Sequence, residues 1–230
     1  MSSCGVFITG TDTGIGKTYA SVALLHALRG AGLRAVGMKP VASGCMATAE
    51  GLRNEDALAL QAAAAPPLPA YADVNPLAYA AAVSPHLAAA AEGRRVELAP
   101  VQAAYARLAA RADMVVVEGV GGWLAPLSDT LVAGDLARVL GLPVILVVGL
   151  RLGCLNHALL SARAIAADGC TLLGWIGNRI DPAMLEPERN LDTLRTRLPA
   201  PCLGVIAHDA ATAAAACALA PVLAALRSCG

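Results

Sequence analysis

The chain has 230 residues, of which 57% are hydrophobic and 15% are charged, and its formal net charge is zero. Such a composition excludes a disordered chain. Zero net charge without a basic stripe disfavours nucleic acid and anionic membranes as partners, and 3% aromatic residues disfavour a base-stacking platform. The length predicts one α/β domain over residues 1–230, with two small domains as the alternative.

Seven scattered cysteines without a Cys-x-x-Cys pair predict reduced, mostly buried thiols, with no zinc or redox motif. The N-terminus has neither the basic region nor the apolar core of a signal peptide. The longest strongly apolar run, Val139–Leu150, contains Pro143 and is too short to span a bilayer. These features predict a cytoplasmic protein with no membrane association.

Short apolar runs alternate with helical stretches along the chain. The predicted strands cover residues 5–9, 33–38, 114–117, 143–148, 172–176 and 202–206. The predicted helices cover residues 17–30, 55–63, 101–112, 156–167 and 191–198, with a buried terminal helix at 210–226 that Pro221 interrupts. The Ala/Pro-rich stretch 62–85 is interpreted as an excursion with short helices on the same domain. This alternation is typical of a doubly wound α/β fold, a mostly parallel sheet with helices on both faces.

The first strand leads into a glycine-rich turn, Gly10–Thr18, with the sequence GTDTGIGKT. Such a loop at a helix N-terminus captures phosphate with backbone N–H groups, and Lys17 would reach the terminal phosphates. The Thr18 hydroxyl would bind Mg²⁺. The strict phosphate-loop pattern requires glycine at position 11, where the chain has Thr11, so the loop is a variant. A plain Gly/Thr-rich turn is the alternative.

Only two of the 17 basic residues are lysines, Lys17 and Lys39. Lys39 follows the second predicted strand, which places it beside the phosphate loop in a doubly wound sheet. A compact ammonium suits a phosphoryl or carbamate oxygen better than the planar guanidinium fork does. The alternative is an ordinary surface lysine.

Two carboxylates are candidate magnesium ligands, because Mg²⁺ is commonly held by one or two carboxylates together with phosphate oxygens. Glu118 directly follows an apolar strand, and an acid there needs a cation if it is half-buried. Gly119 and Gly121 allow close approach of a ligand to the backbone. Asp56 opens a predicted helix. The alternatives are a helix-capping role for Glu118 and an ordinary helix-start acid for Asp56.

Two weaker candidates follow later strands. The segment Leu152–His157 opens a helix and could seat an anion. The Asn178 amide, beside Arg179, could read a purine edge. Ordinary turn chemistry is an equally good interpretation of both, and His157 has no second ligand at metal-binding spacing.

Taken together, these segments resemble the dethiobiotin synthetase family, ATP-dependent enzymes of biotin synthesis. The matching stretches are TGTDTGIGKT (9–18), KPVASG (39–44), GLRNEDALAL (51–60), VEGVGGW (117–123), PLSDT (126–130), PVILVVG (143–149) and LGCLNH (152–157), with residues 74–76, 84–86, 174–175 and 178. The resemblance implies that CO₂ carboxylates diaminopelargonic acid, ATP phosphorylates the carbamate, and ring closure follows. It also implies a homodimer and a seven-stranded, mostly parallel P-loop sheet.

The resemblance also assigns roles by position. It makes Lys39 and Lys17 catalytic, and it makes Thr18, Asp56 and Glu118 the Mg²⁺ ligands. The implied ATP-binding residues are Thr13, Gly14, Ile15, Gly16, Lys17, Thr18, Tyr19, Asp56, Glu118, Gly119, Val120, Gly121, Asn178 and Arg179. The implied substrate-binding residues are Thr13, Ser43, Gly153, Cys154 and Asn156, the last three seating the distal carboxylate across the dimer interface.

Two other classes of protein remain open at this stage. A P-loop ATPase of the partitioning or division-site class would carry a second lysine inside the phosphate loop, which has only Lys17. An amide-forming ligase of the cobalamin pathway would usually need a glutaminase domain, for which the chain has no room. ATP turnover with and without diaminopelargonate and bicarbonate discriminates the synthetase from the regulator.

Overall fold

The computed structural model describes residues 4–227. The strands are β1 (Cys4–Gly10), β2 (Ala35–Met38), β3 (Val41–Ala42), β4 (Met46–Thr48), β5 (Gly51–Arg53), β6 (Leu77–Ala78), β7 (Met114–Glu118), β8 (Val144–Gly149), β9 (Leu172–Asn178) and β10 (Cys202–Ile206). The helices are α1 (Lys17–Gly30), α2 (Glu55–Ala63), α3 (Tyr71–Val74), α4 (Pro85–Ala91), α5 (Leu98–Ala109), α6 (Ala133–Leu140), α7 (Cys154–Ala167), α8 (Pro187–Arg197), α9 (Thr212–Ala218) and α10 (Ala220–Arg227).

Six strands form the central sheet in the order β10-β9-β8-β1-β7-β2. All five neighbouring pairs are parallel. The predicted doubly wound parallel sheet is therefore confirmed. The resemblance implies seven strands in this sheet, but over residues 4–227 the sheet has six. The strands β3, β4, β5 and β6 lie outside it and pair in two separate two-stranded ribbons.

Helices cover both faces of the sheet, and side chains of β1 alternate between the two layers. Val6 and Ile8 pack in a cluster with apolar residues of α1, α2, α9 and α10. Phe7 belongs to the opposite cluster, with residues of α5 and α6. Burial on both faces explains why β7 and β8 contain runs of Val, Ile and Leu instead of alternating polar residues.

The C-terminal stretch is less buried than its alanine content predicts. It forms two helices, α9 and α10, with Pro221 in the first turn of α10. Only Ala215, Leu219, Val222 and Leu226 are buried among residues 211–226. Alanine exposes little apolar surface, so an alanine-rich run tolerates solvent without being a core element.

Over residues 4–227, no helix combines the length and apolarity that crossing a membrane requires.

The thiol prediction is correct in one part and wrong in another. The five cysteines whose side chains are described are free, as predicted. Only Cys45 and Cys154 are buried, however, so the expectation of mostly buried thiols is wrong for this set. The side chains of Cys4 and Cys229 lie outside the described residues.

The carboxyl ends of the parallel strands meet at one edge of the sheet, where the ligand of such a fold binds. Gly10, Met38 and Glu118 end β1, β2 and β7, which are adjacent. The phosphate loop, Lys39 and the glycine-rich 119–122 segment therefore leave neighbouring strands at the same place. Asp56 comes from α2, which follows the β4–β5 hairpin and not a strand of the sheet.

Candidate functional site

A cleft of about 840 Å³ opens at this edge of the sheet. It is lined by twelve predicted site residues, Thr13, Gly14, Gly16, Lys17, Thr18, Tyr19, Lys39, Ser43, Asp56, Glu118, Val120 and Gly121. Its remaining lining residues are Ala42, Asn54, Ala82, Val83, Ser84, Pro85 and Ala125. The structure thus brings together residues that lie more than 100 positions apart in the chain.

The phosphate loop connects β1 to α1 through two glycines in the left-handed region. Gly14 has φ 71° and Gly16 has φ 82°, conformations that L-residues adopt only with strain. A Cβ on Gly16 would also collide with the Asn178 amide. Gly16 is the N-cap residue of α1, and its lack of a side-chain cap leaves the first N–H groups of the helix to an anion.

Lys17, the first residue of α1, is 7% exposed and donates a 2.7 Å hydrogen bond to the Asp12 carbonyl. Burial lowers the pKa of the Lys17 ammonium to about 8, and the nearby charge of Lys39 adds to the effect. Glu118 and Asp56 only partly oppose it. A negatively charged ligand beside Lys17 would therefore restore the charged form.

Lys39 is the centre of a buried charge cluster. Its Nζ donates to Glu118 Oε1 at 2.6 Å, to Asp56 Oδ2 at 3.0 Å and to the Gly119 carbonyl at 3.2 Å. Burial alone would lower the pKa of Lys39, but the two carboxylates outweigh it and the pKa is raised. Burial of Asp56 is likewise outweighed by Lys39, which holds the pKa of that carboxyl below its ordinary value. Lys39 therefore stays protonated in the cleft.

Glu118 is fully buried and carries an unpaired oxygen. Its Oε1 accepts from the Thr18 hydroxyl at 2.8 Å and from Lys39, whereas Oε2 has no hydrogen-bond partner. A buried carboxylate oxygen without a partner is costly, so this atom calls for a cation. No group of three or more His, Cys, Asp or Glu suited to a metal occurs over residues 4–227. Two carboxylates and a hydroxyl are the small set of hard oxygen donors that Mg²⁺ uses beside phosphate.

A second hollow of about 500 Å³ adjoins the cleft at Tyr19, which lines both. Its other lining residues are Asn178, Arg179, Ile180, Ala207, His208, Asp209 and Ala210. The Asn178 amide is 7% exposed and donates to the Ile15 carbonyl at 2.9 Å. The predicted purine-facing residue thus lies in the hollow, with one of its donor groups used by the phosphate loop.

The start of α7 does not line the cleft. Gly153 and Asn156 are exposed and Cys154 is buried. Leu152, directly before them, is 95% exposed. This loop contacts the phosphate loop through Arg151, whose guanidinium lies 2.6 Å from Asp12 Oδ2.

Two polar residues at the site were missed from the sequence. Asp12 accepts from Lys17 through its carbonyl and pairs with Arg151 through its side chain. Asn54 lines the cleft and caps α2 by accepting from the Ala57 N–H at 3.2 Å. The cap has a sequence signal, because Asn followed by two acids at a helix start is typical of an N-cap. No local signal predicts the Asp12 contacts, since Arg151 is distant in sequence.

The fold and its glycine loop define a P-loop nucleotide-binding protein. A family model described as an AAA domain matches residues 4–216. The MinC:MinD cell division protein complex of Aquifex aeolicus aligns with a TM-score of 0.57 over 99% of this chain and 96% of that chain. The sequence identity is 16%, so this likeness concerns the fold alone.

Curated relatives narrow the class to one family. The chain is 60% identical over 206 residues to the ATP-dependent dethiobiotin synthetase BioD of Xanthomonas oryzae pv. oryzae (strain PXO99A), covering 90% of this chain and 92% of that protein. It is 59% identical over 208 residues to the protein of the same name from Xylella fastidiosa (strain 9a5c), covering 90% and 92%. The chain belongs to the ATP-dependent dethiobiotin synthetase family.

Proposed function

We propose that this protein is an ATP-dependent dethiobiotin synthetase that converts diaminopelargonic acid, CO₂ and ATP to dethiobiotin, ADP and phosphate. The observation that carries the proposal is the position of Lys39, whose protonated Nζ lies in the cleft beside the phosphate loop. A loose phosphoryl-transfer transition state spreads charge over oxygens and is stabilised by such a preorganised cation.

The reaction proceeds in three steps. One amine of the substrate attacks CO₂ and loses a proton to give a carbamate. A carbamate oxygen then attacks the γ-phosphorus of ATP and ADP leaves. The second amine attacks the carbonyl carbon of the resulting anhydride and loses a proton, and phosphate leaves as the cyclic urea forms.

The residues of the cleft divide this work. The α1 N-terminus and Lys17 would bind the ATP phosphates, and Gly119, Val120 and Gly121 would border the reacting groups. Lys39 would hold the carbamate against the γ-phosphoryl group, with Ser43 contacting the substrate. The purine would occupy the hollow between Tyr19 and Arg179, which adjoins the cleft. Ile15 contributes its carbonyl, which fixes the Asn178 amide in that hollow.

Mg²⁺ fits the oxygen donors of Thr18, Asp56 and Glu118, and the unpartnered Glu118 Oε2 supports this assignment. When bound with ATP, the ion would neutralise phosphate charge. Thr18 and Lys39 orient the Glu118 carboxylate through Oε1, which leaves Oε2 as the oxygen that faces no protein donor.

We further propose a homodimer in which the partner's α7 start completes the site. Gly153, Cys154 and Asn156 would seat the distal carboxylate of the substrate, yet they do not line the cleft of their own chain. Two exposed leucines, Leu152 at 95% before α7 and Leu160 at 55% within it, support a protein contact at this helix. Free thiols and the use of ATP favour the cytoplasm as the compartment.

The test is product formation from diaminopelargonate, bicarbonate and Mg-ATP, with dethiobiotin, ADP and phosphate measured together. Equal amounts of the three products support the proposal. ATP turnover that is indifferent to diaminopelargonate and bicarbonate would refute it and favour a regulatory P-loop ATPase.

Replacing the buried ammonium tests the assigned chemistry. We expect Lys39→Ala to retain ATP binding, because the phosphate loop is unchanged, while turnover falls roughly 100–1,000-fold. Lys39→Arg should not rescue it, since a planar guanidinium is larger and differently shaped. Nucleotide affinity from calorimetry and turnover from product formation check both statements. Turnover at the wild-type rate in Lys39→Ala would rule out the role.

A further inference from the structure

The segment 71–77 holds the backbone of Lys39 on both sides. The Lys39 N–H donates to the Val74 carbonyl at 2.7 Å. The Lys39 carbonyl accepts from Asn75 Nδ2, also at 2.7 Å. Asn75 is 4% exposed, so its amide acts in a setting from which water is largely excluded. The position of Lys39 at the end of β2 therefore depends on this segment as well as on the sheet.

The same segment holds the start of α2, which carries Asp56. The Tyr71 hydroxyl accepts from the Asn54 N–H at 2.7 Å, and Asn54 caps the helix. The Arg53 guanidinium lies over the Tyr71 ring, 4.3 Å from its centroid. Tyr71 thus fixes the cap residue, and the cap fixes the first turn in which Asp56 lies.

A single hydrogen bond joins the contacts that hold Lys39 to the contact that holds Asn54. The Tyr71 hydroxyl donates to Asn75 Oδ1 at 3.1 Å. The chain of donors therefore runs from the Asn54 N–H through Tyr71 and Asn75 to the Lys39 carbonyl. Its direction is determined, because Asn75 Nδ2 faces the Lys39 carbonyl and, at 3.4 Å, that of Leu77. Each hydroxyl and amide group in this chain has a partner of the correct kind.

We propose that Tyr71 and Asn75 are positioning residues for the reaction, and this inference rests on the proposed function. Neither residue lines the cleft, so neither touches the reacting atoms. They act by keeping two groups from separate segments, the Lys39 ammonium and the Asp56 carboxylate, at their 3.0 Å separation. A displacement of either group by about 1 Å can reduce a rate by as much as 100-fold.

The test compares Tyr71→Phe with a matched control, Tyr79→Phe. Tyr79 is fully buried whereas Tyr71 is half-buried, and Tyr79 likewise has an arginine, Arg94, 4.6 Å over its ring and donates to a backbone carbonyl, that of Arg95, at 3.3 Å. Its hydroxyl has no contact with Lys39 or Asp56. Each variant loses one hydrogen-bonded hydroxyl, which has two partners at Tyr71 and one at Tyr79, so both melting temperatures should fall, that of Tyr71→Phe somewhat more. Only Tyr71→Phe should lower kcat.

We expect Tyr71→Phe to lower kcat roughly 10–100-fold, with the KM for ATP within about twofold of wild type. Mn²⁺ affinity in the presence of ADP, followed by electron paramagnetic resonance, should fall by a similar factor because Asp56 is displaced. Asn75→Ala should likewise lower kcat and Mn²⁺ affinity while leaving the KM for ATP nearly unchanged. The kcat of the double variant should be no lower than that of the more impaired single variant, because both residues act through one relay.

Equal kcat and Mn²⁺ affinity in Tyr71→Phe and Tyr79→Phe would overturn the inference. If Asn75→Ala does not fold, the Tyr71 and Tyr79 pair decides the question alone. A wild-type protein that forms no dethiobiotin would refute the proposed function separately. The Mn²⁺ titration would still decide whether the relay positions Asp56.

Discussion

Removing the charge of Lys39 should lower the free energy of unfolding when no divalent cation is present. The Lys39 and Glu118 side chains are 5% and 0% exposed, and their charged atoms are 2.6 Å apart. Lys39→Met keeps a similar side-chain volume but leaves the buried Glu118 carboxylate without its counter-ion. Asp56, which also loses its ion pair, adds a second negative charge nearby.

The magnitude follows from the burial of the pair. Breaking a buried ion pair by removing one partner reduces the free energy of unfolding by ~3–5 kcal/mol. In a chain of this size each kcal/mol lowers the melting temperature by about 2–4 °C, so a drop of roughly 10 °C is expected. Added Mg²⁺ should restore part of the loss, because at the proposed site it would neutralise the two carboxylates, which only the folded state brings together.

The assay is urea unfolding of wild type, Lys39→Met and the matched control Lys17→Met, each with a chelator and with Mg²⁺. Lys17 donates to a neutral carbonyl, so its removal leaves no carboxylate unpaired and, because burial already disfavours its charge, should lower stability by no more than about 1 kcal/mol. Equal losses in the two variants would refute the counter-ion role of Lys39. So would a Lys39→Met deficit that Mg²⁺ leaves unchanged.

Two further predictions concern Lys17 and the dimer. Because the pKa of Lys17 is about 8 in the folded state and 10.5 in the unfolded state, the unfolded chain binds more protons between these values. Wild-type stability should therefore rise relative to Lys17→Met as pH increases from about 8 to 10.5, by up to ~3 kcal/mol; parallel urea-unfolding curves would contradict this. Co-expressed Lys39→Ala and Asn156→Ala subunits should regain about a quarter of wild-type activity, because half of the random dimers carry one intact site. Activity no higher than that of either variant alone would contradict a site shared between subunits.

Local sequence predicts much of the fold because its signals act over short distances. The bounds of α1 and α2 agree with prediction, since helical apolar spacing begins directly after a glycine loop and an N-cap. The predicted helix 191–198 begins earlier, at Pro187, because proline is favoured at the first helical position. The predicted strand 172–176 extends to Asn178, since its pairing with β8 continues to Gly149.

What local sequence misses depends on distances between segments. Composition suggested a buried C-terminal helix, but burial is decided by which face meets the sheet, and α9 and α10 bury only one side. Asp12 carries no local mark of its pairing with Arg151, which is 139 positions away. No local sequence pattern predicts that Tyr71 and Asn75 form a hydrogen-bond chain between Lys39 and Asn54.

Short segments of the chain are enough to specify the doubly wound parallel sheet, the phosphate loop and the candidate residues, because apolar periodicity, glycine conformations and charge placement are local properties. Which of these charged groups pair with one another depends on the tertiary structure. Only folding brings one ammonium within 3.0 Å of two carboxylates from β7 and α2 and leaves Glu118 Oε2 unpaired. Burial then makes these contacts strong, because water no longer screens them.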